Sequence, residues 1–259
     1  MNLHLDNKII VVTGGARGIG EGIVKVLAAE GACPVIVGRN EQDNINTASA
    51  LLAQGGRAWY VTAELSDPLQ CKFAVDRVVE KFGRIDGLVN NAGVNDGVGL
   101  ENGNYDQFMA SLHKNLVHYF LMAHYCLPEL INSKGSIVNI GSKTAETGQG
   151  KTSAYAAANG GRSALTREWA VELLKYGIRV NAVIVAECYT PLYDTWIKTF
   201  SNPAEKLKTI TDKIPFGKRM TTTEEIANMV AFLLSGKSSH TTGQLIHVDG
   251  GYVHLDRAI

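Results

Sequence analysis

Few features of this 259-residue sequence invite a large or charged partner. Basic and acidic side chains balance at 25 each, so no net field draws the chain to nucleic acid or to an anionic membrane. The four cysteines, Cys33, Cys71, Cys126 and Cys188, are scattered. They lack the close pairs of a zinc site and fall far short of a disulfide scaffold, so they read as reduced and buried. No H-x-x-x-H or carboxylate spacing among the seven histidines suggests a metal. No run of about 18 apolar residues occurs, and Asp6 and Lys8 frame the first apolar stretch. A secretory signal and a spanning helix are thereby disfavoured, and the expectation is a cytoplasmic protein with a small-molecule partner.

What is present is an alternation. Runs rich in β-branched residues predict strands at KIIVVT (8–13), PVIVG (34–38), RAWYVTAEL (57–65), DGLVNNAG (86–93), GSIVNIGS (135–142), IRVNAVIVA (178–186) and QLIHVD (244–249). Helical patterns near 18–30, 41–54, 68–82, 105–130, 153–175 and 222–235 fall between them. Strands this apolar, with little period-two alternation, are those covered on both faces of a parallel sheet. The expected fold class is α/β, a Rossmann-type doubly wound seven-stranded parallel sheet in one domain over 1–259. The segment at about 188–219 breaks the rhythm, with Pro191, Pro203 and Pro215 among Tyr189, Tyr193, Trp196 and Phe200. It reads as a substrate lid, or else as a packed surface hairpin of helices.

TGGARGIG (13–20) follows the first strand and opens the first helix. Gly14, Gly18 and Gly20 let the backbone turn tightly and approach a pyrophosphate, while Arg17, Ile19 and the helix N-terminus border it. The alternative is a tight turn without a ligand. At the end of the second strand, VGRN has Gly38 where a ribose-binding carboxylate would stand, and Arg39 with Arg17 could grip a 2′-phosphate from two sides. The cofactor expected is therefore NADP or NAD, with NADP slightly favoured, unless both arginines are merely solvated.

These motifs, in this order, resemble the short-chain dehydrogenase/reductase family over essentially the whole chain. TGGARGIG matches its coenzyme motif, Asn90-Asn91-Ala92-Gly93 its NNAG signature, and Asn115 in KNLVHYF its catalytic asparagine. Ser142 and Tyr155, thirteen residues apart, match its serine and tyrosine. The resemblance implies cofactor contacts from Gly14, Arg17, Gly18, Ile19, Gly20, Arg39, Glu64, Leu65, Asn91, Ala92, Gly93, Tyr155, Asn159 and Thr190. Within the family, SKTAETGQG (142–150), ALTREWA (164–170), AECYTPLY (186–193), SHTTG (239–243) and VDGGYVHLDRAI (248–259) are similar to L-fucose and related aldose dehydrogenases. That similarity implies oxidation of a sugar at its anomeric carbon to a lactone. The family's two-fold contacts imply a homotetramer of D2 symmetry, for which Gly160 and Gly161 would allow close helix approach.

Moving a hydride off a hydroxyl carbon needs a base for the hydroxyl proton, a donor to orient the oxygen and a nicotinamide face nearby. Tyr155 is the candidate base and Ser142 the donor; the resemblance implies that Asn115 holds a helix kink and an ordered water. The family's tyrosine is followed four residues later by a lysine that bonds the nicotinamide ribose and favours the ionised phenol. This sequence has Asn159 there. Three readings stay open. Lys143 or Lys151 serves as the cation; or Asn159 leaves a cofactor-binding protein with little catalysis; or the asparagine is an introduced change that traps a complex. On the first, Asn159→Lys should raise the oxidation rate at neutral pH.

Substrate contacts are expected from Lys143, Gln149 and Glu187, since polyol recognition needs several fixed polar partners. Glu187 follows Val185-Ala186 where many family members have Pro-Gly. Tyr189 and Trp196 would offer flat walls, or pack the lid. His254 would approach substrate if the C-terminal tail folds over the lid.

Overall fold

In the computed structural model, which describes residues 1–256, β1 (Ile9–Thr13) is buried along its whole length. The chain continues through α1 (Gly18–Ala29), β2 (Cys33–Gly38), α2 (Glu41–Ala53), β3 (Trp59–Thr62), α3 (Pro68–Phe82), β4 (Gly87–Asn90) and α4 (Tyr105–Leu112). After these come α5 (His118–Ser133), β5 (Ser136–Ser142), α6 (Ser153–Glu172), β6 (Arg179–Val185), α7 (Pro191–Ile197), α8 (Pro203–Thr211), α9 (Thr223–Leu234) and β7 (Leu245–Val248). The final residues 257–259 of the VDGGYVHLDRAI stretch lie outside the described residues.

The seven strands form one parallel sheet in the order β3-β2-β1-β4-β5-β6-β7. Alternate residues of each strand feed opposite cores. Ile9, Val11, Val35, Leu88 and Ile137 pack with Val75, Val78, Met122 and Trp169 on one face. Ile10, Val12, Ile36, Val89 and Val138 pack with Ile23, Leu27, Ile226 and Val230 on the other. Each such side chain contributes about 1.5–3 kcal/mol by leaving water, which is why the strands read as continuous apolar runs. The four cysteines are buried and free, and burial pushes the Cys71 and Cys188 thiols up to about 12, so neither is a ready nucleophile. Among the described residues no helix is long and apolar enough to cross a membrane.

Three predicted elements differ, the first being the strand expected over 86–93, which ends at Asn90. The helix expected over 105–130 is interrupted by a π turn at His113–Val117, centred on Asn115, whose Nδ2 donates to Ser111 O at 3.0 Å. The extra residue of such a turn breaks the 3.6 period that the apolar pattern follows. The strand expected over 57–65 shrinks to β3, because it is an edge strand paired to β2 alone. The segment at 188–219 carries α7 and α8, anchored by buried Ile197 and Ile214, while Leu192, Trp196 and Phe216 stay exposed.

Candidate active site

Strand order reverses between β1 and β4, which puts a crevice beyond their C-terminal ends. The glycine loop fills the β1 side of it. Gly14 and Gly18 have φ of 63° and 57°, and a Cβ on Gly20 would stand 2.1 Å from Gly14 O. Asn91 donates Nδ2 to Thr13 O at 2.9 Å and to Gly14 O at 3.2 Å, and the Asn91 and Ala92 N–H groups meet Thr13 Oγ1. The NNAG segment therefore braces the loop. Side chains cap α2, α3 and α9, whereas α1 has no side-chain cap, so the first-turn N–H groups of α1 are left for an anion. Open glycines and uncapped donors fit a dinucleotide pyrophosphate.

The flanking residues divide between the loop and the core. The Thr190 methyl lies 3.3 Å from where a Cβ on Gly18 would be, and Thr190 caps α7. Ile19 packs partly against the core, and the Leu65 side chain is buried in it, so Leu65 offers no side chain to a ligand. The two arginines are not free as expected. Arg17 Nη2 lies 2.8 Å from Asp43 Oδ1, and Arg39 Nη1 lies 3.6 Å from Glu64 Oε2. Glu64 also accepts from Ser66 N and Oγ, and these bonds with Arg39 outweigh burial to hold its carboxyl below the usual range.

Ser142 ends β5, half-buried, with Oγ accepting from Thr144 Oγ1 at 3.1 Å. Tyr155 sits in the first turn of α6, also half-buried. Asn159 is enclosed: Nδ2 donates to Tyr155 O at 2.8 Å, and Oδ1 accepts from Arg162 Nη1 at 3.1 Å. The amide's bonds thus run within α6, which corrects the expectation that it is presented to a ribose. Arg162, which sequence reasoning passed over, is 3 % exposed. Its Nε donates to Asn115 O at 2.6 Å, Nη1 to Ile140 O at 3.2 Å and Nη2 to Asn115 Oδ1 at 3.4 Å. Its guanidinium carbon lies 4.3 Å from the Tyr119 ring centre and 5.9 Å from that of Tyr155. The Asn115 carbonyl thus takes an arginine N–H, and Asn115 Oδ1 also accepts from Val94 N at 2.8 Å. A Cβ on Gly93 would come within 2.8 Å of Arg162 Nη2, so that glycine makes the room.

Neither lysine considered for the missing cation is placed for it. Lys143 Nζ forms a buried ion pair with Glu187 Oε1 and stands 4.0 Å from the centre of the Tyr252 ring. Lys151 is exposed, in a left-handed turn of φ 57°. Lys143 and Glu187, both expected from the sequence to contact substrate, are thus each other's partner, and Tyr193 joins them: burial, then the Glu187 carboxylate, pushes its phenol up. A cleft of about 540 Å³ is lined by Lys143, Gln149 and Tyr252 among others. Tyr189 and Trp196 are 44 % exposed, and Tyr189 donates to Asp194 Oδ1 at 2.8 Å. They flank Tyr193 in a row of rings that continues to Phe200. Tyr252 was missed because it lies far along the chain from the other residues. The fold also gathers Glu146, His247 and His254, with ligand atoms within 4.8 Å of one another, a group no linear spacing announces. His254 thereby faces Glu146 at 3.8 Å.

Residues 14–253 match the family model described as enoyl-(acyl carrier protein) reductase. The chain is 35% identical over 254 residues to 3-oxoacyl-[acyl-carrier-protein] reductase FabG of Thermotoga maritima, covering 97% of this chain and 100% of that one. The crystal structure of Cj0485 dehydrogenase superposes with a TM-score of 0.95 at 45% identity, covering 100% of this chain and 99% of that one. Aldohexose dehydrogenase of Thermoplasma acidophilum superposes at 0.90 with 26% identity, covering 100% and 99%. These names differ while the fold is shared.

Proposed function

Because the chain belongs to the short-chain dehydrogenase/reductase family, we propose that this NAD(P)-dependent oxidoreductase oxidises an aldose such as L-fucose at its anomeric hydroxyl, releasing the lactone. The observation that carries the substrate class is the buried Lys143–Glu187 pair, one residue past Ser142, with Tyr193 and Tyr252 against it. Fixed donors and acceptors beside aromatic walls suit a ring bearing many hydroxyls and suit an acyl chain poorly.

In this reading Ser142 Oγ donates to the reacting oxygen, and Tyr155 Oη takes the hydroxyl proton. The nicotinamide, when bound, supplies the acceptor for the hydride. Gly14, Gly18, Gly20 and the N-terminus of α1 hold the pyrophosphate, while Arg17 and Arg39 exchange Asp43 and Glu64 for a 2′-phosphate, which favours NADP. Asn91, Ala92 and Gly93 keep the loop in place, and Thr190 borders it. The segment at 188–219 closes over the sugar, with Gln149, Tyr189 and Trp196 at the rim. The binding-only alternative rested on a missing cation beside Tyr155, and the buried Arg162 speaks against it.

The test is nicotinamide reduction with L-fucose, D-arabinose, L-galactose and simple secondary alcohols, at neutral and high pH. Sugars should be oxidised with kcat/KM at least about tenfold above the simple alcohols, a margin of about 1.4 kcal/mol in transition-state binding. Turnover of the simple alcohols alone would overturn the aldose reading.

A further inference from the structure

We propose that Arg162 is the positioning residue that holds positive charge behind Tyr155, in place of the lysine the family carries at position 159; this rests on the dehydrogenase reading above. Arg162 lies seven residues after Tyr155, two helical turns along the same face of α6. An arginine cannot lose its proton in the working range, and burial leaves its charge poorly screened. Among the described residues no carboxylate pairs with it. Four hydrogen bonds go to neutral oxygens of Asn115, Ile140 and Asn159, so each of its three nitrogens has a partner while its charge has none. A buried charge satisfied only by dipoles favours an anion within reach, and the group at hand that can become one is the Tyr155 phenol.

The other titratable groups around it do not supply or cancel that charge. From α5, burial and then Arg162 lower His118 to about 4, so its ring is neutral in the working range. Burial holds the Tyr119 phenol up, so that ring is neutral too. The carboxylate of Glu64 acts on His118 in the opposite sense, and its own partner is Arg39. Lys143 is neutralised by Glu187, and on the π turn Lys114 faces Asp96 at 3.8 Å.

Asn159 then acquires a reason. Its Oδ1 accepts from the guanidinium at 3.1 Å, and a lysine at 159 would press a second cation against the first. The two positions are one unit, so Asn159→Lys alone should slow oxidation, the reverse of the expectation drawn from the family motif.

The experiment compares wild type, Arg162→Gln, Arg162→Lys, Asn159→Lys/Arg162→Gln and Tyr155→Phe, each checked by circular dichroism and thermal melting. Ultraviolet difference titration near 295 nm follows tyrosinate formation without cofactor or substrate. The band that disappears in Tyr155→Phe should move up by about one pH unit or more in Arg162→Gln and return toward wild type in the double variant. With NADP and L-fucose, Arg162→Gln should lose about tenfold or more in kcat near pH 7.5 with little change in KM, and recover as pH rises. Unmoved titration and an unmoved rate profile in a folded Arg162→Gln overturn the inference. Should that variant not fold, Arg162→Lys decides: a band within about half a unit of wild type supports a charge effect, and a band displaced by a unit or more overturns it. If wild type turns over none of the sugars or alcohols while the titration still depends on Arg162, the function fails and the charge assignment stands.

Discussion

At the scale of single residues, two positive or ionisable groups set what the protein does with pH and with cofactor. His118 is buried and neutral, its Nε2 facing Lys114 O at 2.9 Å, and burial followed by Arg162 lowers it to about 4 from an ordinary 6.5. A ring held neutral by folding contributes its full stability above the unfolded value. That contribution is lost as pH falls from about 6.5 toward about 4. His118→Gln should therefore lose less stability between pH 7 and pH 4 than wild type, by up to about 3 kcal/mol, measured by urea denaturation at each pH. Arg39 makes a different prediction. Its contact with Glu64 is exposed and long at 3.6 Å, hence weak and easily exchanged. Arg39→Ala should weaken NADP binding about tenfold and leave NAD nearly unchanged, read by parallel fluorescence titrations.

At the scale of elements, the loop between β1 and α1 and the pairing of β1 with β4 carry the site. Gly18 has φ 57° with the Thr190 methyl close by, so Gly18→Ala should strain the turn and lower cofactor affinity about tenfold, with a small fall in Tm. Asp86, just before β4, accepts from Ile9 N at 2.9 Å, from Lys8 Nζ at 3.1 Å and from Arg84. Burial alone would raise its carboxyl, but these partners outweigh burial and hold it below its ordinary 3.8. The group therefore stabilises the fold above that value, and its contribution is lost as pH falls below it. Asp86→Asn should cost about 1–2 kcal/mol at pH 7, and the difference from wild type should shrink below pH 4 in urea denaturation. The π turn belongs to this scale too, since it delivers both oxygens of Asn115 to Arg162.

For the whole molecule, the strand order reverses at β1 and β4, and Ser142 ends β5 on the β4 side of that reversal. The two glycines of α6 divide their work. A Cβ on Gly161 would meet Leu116 Cδ2 at 2.8 Å, so it serves packing within the chain. Gly160 meets nothing within 4 Å and borders a cleft of about 760 Å³ with Ser163, Ala164 and Arg167. Light scattering should give the mass of four chains, and Gly160→Arg should lower that mass while circular dichroism stays unchanged.

The strands were legible because each is buried on both faces, which leaves a continuous apolar run whatever the neighbours are. The turn at TGGARGIG was legible because its glycine geometry is local, whereas Ser142 and Tyr155 were singled out by the family resemblance. The ANGGR stretch also held a sign of Arg162, a seven-residue spacing from Tyr155, but nothing local distinguishes a buried guanidinium from a solvated one. Residues distant in sequence met only on folding: Lys143 with Glu187 and Tyr252, Asp86 with Ile9, and Glu146 with His247. The amino-acid order by itself determined the parallel sheet, the glycine-rich turn after β1 and the absence of a lysine at 159. Which cation stands behind Tyr155 was decided by tertiary structure alone, because the field at a buried phenol depends on distance through space and on burial, and neither is written along the chain.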